Sequence, residues 1–200
     1  MKHFVLLLTT LFLTYYASVE MAAVHAIKNN AQKNDQSPSA FSTPIHISGD
    51  KTFTNHTNAA LKLLKNKAPS DYTMVITYIG KIQQHTFSGM AAYETPPAYK
   101  VGAITANASV TWYASTIVHD AYHSKLYHDY LYTYKEAVPD EAWTGMEAEM
   151  KCLEAQIQAL IQIKAPKAEI DYARSLRGTN WWDLNGDGIY DAEDEKLRDW

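Results

Sequence analysis

Residues 112–123 read Trp112-Tyr113-Ala114-Ser115-Thr116-Ile117-Val118-His119-Asp120-Ala121-Tyr122-His123. Asn107 or Ser109 stands upstream as a helix cap, so the spacing predicts a helix running to about Tyr127. On that helix His119 and His123 lie one above the other on a single face. Two imidazoles at that spacing can grip one metal ion, and Asp120 puts a carboxylate beside them. The apolar lead-in and the intervening acid distinguish the pair from two histidines on a solvated face.

A catalytic zinc takes three protein ligands and keeps one position for water. His119 and His123 supply two. The third is expected from a later helix, and residues 145–153 offer Glu147 and Glu149. Each helical residue advances roughly 100°, so only one of these acids can face the metal helix. Glu149 borders the stripe of Cys152 and Leu153 and is the expected ligand. His-Asp-x-x-His differs from the H-E-x-x-H of zinc hydrolases in its acid. There the acid is the general base, taking a proton from a zinc-bound water and passing it to the leaving group. Asp is one methylene shorter than Glu, so Asp120 reaches about 1–1.5 Å less far. It is expected to act as base or to orient an imidazole. His128 falls about 180° from His119 around the helix and is not expected to ligate. His85 reads as a surface or rim residue, and Cys152 as a small buried hydrophobe.

Several stretches together resemble a family of small, uncharacterised bacterial zincin-like metallopeptidases. They are Trp112-Tyr113-Ala114, Ile117-Val118-His119-Asp120-Ala121, His123-Ser124, Glu147-Ala148-Glu149, Cys152-Leu153 and Gln156. The resemblance spans residues 71–182 and implies a metal helix followed by a glutamate helix. By position it implies His119, His123 and Glu149 as zinc ligands, with Asp120 where the family has its catalytic Glu.

Residues 183–194 match a twelve-residue calcium loop. Asp183, Asn185 and Asp187 hold positions 1, 3 and 5, and Gly188 holds position 6. Ile189 would offer its carbonyl at 7, Asp191 a water-mediated contact at 9, and Asp194 would close the loop at 12. Many oxygens without His or Cys suit calcium. The stretch also resembles the calcium loops of exported dockerins. A single copy argues for a structural role, tying Trp181 and Trp182 onto the body.

Residues 1–26 read as a signal peptide with a short polar start, an apolar run over 4–17 and cleavage after Ala26. That run is short for a membrane span of roughly 20 residues, so no stable span is expected after cleavage. The expected location is periplasmic or extracellular. One cysteine allows no intramolecular disulfide. A net charge of −4 without a basic run argues against nucleic acid.

The remaining chain reads as follows. A flexible lead-in covers 27–56, a zincin-like domain 57–182, and a calcium loop with a C-terminal helix 183–200. Ser70 caps a helix carrying Tyr72, Val75, Ile76, Ile79 and Ile82. Residues 90–94 and 99–104 suggest a small hairpin or two short strands. Pro139 opens a helix bearing Trp143, Met146, Met150, Leu153, Ile157 and Leu160, and Pro166 opens another. The expected fold is mostly α (α+β), with a zincin-like metal helix, a small β element and a downstream glutamate helix. The expected function is an exported zinc-dependent hydrolase acting on a peptide or protein. The alternatives are a secreted calcium-stabilised binding module with a degenerate metal site, and an HD-type phosphohydrolase needing His85 at the site.

Overall fold

The computed structural model describes residues 44–187 and 192–197. The expected signal segment lies outside the described residues.

The first element, β1 (His46–Ser48), leads into α1 (Lys51–Lys67). Asp50 caps α1 by accepting from Phe53 N at 2.8 Å. Gln84 grips this cap from both sides, donating to Asp50 Oδ2 and accepting from Asp50 N. Phe53, Thr57, Ala60 and Leu64 recur at helical spacing and form the buried face. Residues 46–56 of the expected lead-in are therefore structured, and its residues 27–43 lie outside the described residues. The polar composition of 46–56 belongs to a half-exposed strand and a capped helix start.

Pro69 occupies the first turn of α2 (Pro69–Tyr78), where its missing N–H costs nothing. No side chain caps this helix, so Ser70 is not its cap. The helix ends at Tyr78 and does not reach Ile82. Ile79 is already extended, and Gly80 packs so close to Pro96 that a Cβ would lie 2.3 Å from the proline ring. Lys81–Gln84 then forms β2, with Ile82 buried and its neighbours half-exposed. Val and Ile serve both periods, and tertiary packing chose the strand.

β3 (Gly89–Ala91) and β4 (Ala98–Val101) pair antiparallel, as the spacing predicts. The sheet order is β1-β2-β4-β3, with β1 and β4 both parallel to β2. A short turn of helix, α3 (Ala103–Ala106), follows.

The centre of the molecule is α4 (Val110–Tyr134), longer than predicted at its C-terminal end. Residues 112–121 are buried on every face, because α1, α2, the sheet and a later helix surround them. Ser109 caps α4 by accepting from Trp112 N at 3.0 Å and also donates to Glu169. Ser109→Ala is expected to lower stability by about 1 kcal/mol. The measurement is a lower urea midpoint at unchanged m-value.

Beyond α4, Pro139 precedes only a 3₁₀ turn (Asp140–Ala142), and the long helix α5 starts later (Gly145–Gln162). Trp143 therefore lies in the turn and not on the helix. Gly145 has φ +74°, a left-handed conformation that glycine adopts without a Cβ penalty. Helix α6 (Lys167–Ser175) follows Pro166 as expected, and α7 (Ala192–Leu197) ends the described chain. The fold is α+β, mostly helical with one small mixed sheet. No helix among the described residues is long and apolar enough to cross a membrane.

Candidate metal centre

The buried stretch of α4 contains an expensive group of side chains. His119, Asp120 and His123 are only 4%, 8% and 7% exposed. Polar and ionisable groups at that depth cost free energy unless they are paired or bind an ion. Helix α5 runs antiparallel beside them, with Glu149 facing the histidines and Gln156 donating to Ser115 one stage further down.

Three donor groups meet here. His119 Nε2 lies 3.2 Å from Glu149 Oε2, and His123 Nε2 lies 3.3 Å from Glu149 Oε1. The two Nε2 atoms are 3.1 Å apart. A tetrahedral ion with bonds of about 2.0–2.1 Å holds its ligands roughly 3.3–3.4 Å apart. The two nitrogens are spaced close to that length, and each lies near a different oxygen of Glu149, so the carboxylate would complete a three-ligand set by turning one oxygen toward both.

The ring of His123 is oriented from behind. Its Nδ1–H donates to the Trp143 carbonyl at 2.7 Å, which turns Nε2 inward. The turn before α5 thus supplies a supporting carbonyl from a residue that the apolar pattern places on a helix. His119 Nδ1 is buried without a hydrogen-bond partner, so that ring is placed through Nε2 and by Trp181, edge-on at 5.3 Å.

The electrostatics favour positive charge within the triangle. Burial alone would raise the Glu149 carboxyl, but the charge on His123 and hydrogen bonds from both imidazoles hold it well below the usual carboxylate range. Burial would likewise lower His123, yet Cys152 and Glu149 hold it well above its ordinary value. A divalent ion would supply that positive charge while the bond to Trp143 keeps the ring in place.

Glu147 points elsewhere: it is exposed and pairs with Lys151 at 2.7 Å. The choice between the two acids thus falls on Glu149. Asp120 stands beside the triangle and lines the same cleft. His128 packs against Tyr78 and Tyr127, away from the cleft. His85 is not among the residues lining the cleft, and its ring stands edge-on to Phe87 at 4.9 Å. Cys152 is fully buried, as expected, but it is also a site residue. Its sulfur and one nitrogen from each of His119 and His123 lie within 4.8 Å of one another. The available signal was its position three residues after Glu149, on the same helix face.

Above the triangle opens a cleft of about 520 Å³, a size that suits a small ligand or part of a chain. Phe87, Gly89, Met90 and Ala91 form one wall, Trp143 and Thr144 a second, and Trp181 and Trp182 a third. Most of this lining is apolar, and His119, Asp120, His123 and Glu149 are among its polar groups.

The residues after that third wall form an ordered turn. Asp183 Oδ1 accepts from Gly186 N, and Asn185 Oδ1 accepts from Asp187 N. Asp194 is fully buried and accepts from Leu184 N and Asn185 N, closing the loop from α7. Gly188, Ile189 and Asp191 lie outside the described residues.

No family model matches this chain, and no curated protein or solved structure matches it.

Proposed function

We propose that the chain is an exported zinc-dependent hydrolase acting on peptide bonds. The observation that carries this reading is the buried cluster of His119, His123 and Glu149 on the cleft floor, its two Nε2 atoms 3.1 Å apart and each 3.2–3.3 Å from one carboxylate oxygen. A zincin-like fold is supported by the element order: a small mixed sheet, the helix bearing both histidines, then the helix bearing Glu149.

His119, His123 and Glu149 would hold the zinc. When bound, zinc supplies Lewis acidity, polarising a carbonyl and acidifying water. Asp120 receives the proton that attack releases and delivers it to the leaving amine. The Trp143 carbonyl keeps His123 in its working orientation. The apolar walls thin out water over the floor, which strengthens every charge interaction there. Strand β3 supports a peptide substrate: among the described strands it pairs only with β4, and all three of its residues line the cleft. An extended chain laid along that edge would gain backbone hydrogen bonds.

The loop over 183–194 is proposed to hold calcium in a structural role, through Asp183, Asn185, Asp187, Ile189, Asp191 and Asp194. Residues 1–26 support export.

The test is elemental analysis of the purified mature chain beside His123→Ala. About one zinc per chain, lost in the variant while calcium stays, is the expected result. A casein-degradation screen of both forms then checks hydrolysis. Calcium alone in both forms would overturn the zinc reading.

A further inference from the structure

We propose that Cys152 is a fourth donor to the ion held by His119, His123 and Glu149, so that the resting centre is closed. This inference rests on the metal-centre reading above and adds a device for its regulation.

The geometry comes from one face of α5. Glu149 and Cys152 are three residues apart and so share a face. Gln156 continues that face against α4, donating to Ser115 at 3.2 Å. Cys152 therefore stands between two residues that both contact the metal helix. It is a free thiol with no exposed surface, and its sulfur lies within 4.8 Å of a nitrogen on each histidine. Bonds of about 2.3 Å to sulfur and 2.0–2.1 Å to nitrogen place those atoms roughly 3.6 Å apart around a tetrahedral ion. On the histidine side the gap to close is at most about 1.2 Å, within reach of a small side-chain rotation; Glu149 lies outside that 4.8 Å group, so its carboxylate must also turn toward the sulfur for all four donors to share one ion.

On binding, the thiol proton leaves to solvent and the thiolate takes the fourth position. Two nitrogens, one oxygen and one sulfur select zinc or cobalt over magnesium or calcium. Four protein ligands also describe a structural site, whereas catalysis needs an open position. The bond to Cys152 must therefore give way to water when substrate enters the cleft, so the closed form is the resting state and turnover in the wild type passes through the open one.

Cobalt(II) titration of the metal-free, full-length mature protein tests this. The expected result is visible d–d absorption together with a near-ultraviolet thiolate-to-cobalt charge-transfer band. Cys152→Ser should keep the visible absorption, lose the near-ultraviolet band and bind zinc roughly tenfold or more weakly. Visible absorption without the near-ultraviolet band in the wild-type protein would overturn the role of Cys152 and leave the three-ligand centre standing. Neither absorption in the wild type would overturn both. The wild-type spectrum decides the matter even if the variant folds poorly.

Discussion

Asp120→Asn is expected to slow peptide-bond hydrolysis by about 10²–10⁴-fold while zinc content stays at the wild-type level. The substitution keeps the shape and the position on α4 but removes the ability to take a proton. Asp120 is 8% exposed and lines the cleft beside the triangle, so the change is confined to the site. Asp120→Glu extends the carboxylate by one methylene and should raise the rate above wild type, because the shorter acid reaches about 1–1.5 Å less far. The measurement is kcat/KM on a quenched-fluorescence peptide library, with zinc determined on the same samples. Zinc lost along with activity in Asp120→Asn would make Asp120 a group that orients an imidazole. Full activity in Asp120→Asn would remove it from the mechanism.

The second large effect concerns stability. Leu153→Ala is expected to cost about 2–5 kcal/mol. Leu153 is fully buried in the core cluster, among Ile117, Val118, Ile157 and Leu160. It lies four residues after Glu149 on α5, so its packing against α4 also sets where the carboxylate meets the histidines. Urea unfolding of the metal-free protein should show the midpoint falling at unchanged m-value. Adding zinc should restore part of the loss, by about 2.7 kcal/mol at a free concentration of 100 Kd. A loss under about 1 kcal/mol would mean that the space left by Leu153 collapses and that the helix pair does not depend on it.

Much of the helical framework is legible from local spacing alone. The cap at Ser109, the apolar period from Met146 to Leu160 and the proline that opens α6 are local signals, and helices form over those stretches. The misreadings fall where two local preferences compete. Residues 79–84 carry β-branched side chains that suit a helix or a strand, and the close contact of Gly80 with Pro96 resolved them into β2. Pro139 can start a helix, but only a single 3₁₀ turn forms before Gly145 turns the chain.

The same division holds at the site. Four-residue spacing alone puts His119 and His123 on one face, because the helix repeat is a property of the backbone. The 100° step also separates Glu147 from Glu149 without any tertiary information. Which of those faces meets α4 is another matter. It depends on how α5 packs, and only the folded chain brings Glu149 within 3.3 Å of both imidazoles. Cys152 entered the cluster for the same reason: its burial is written in the apolar stripe, but its neighbours are not. The Trp143 carbonyl left no mark in the sequence at all. A backbone oxygen carries no residue identity, so its role arises from the path of the turn between α4 and α5.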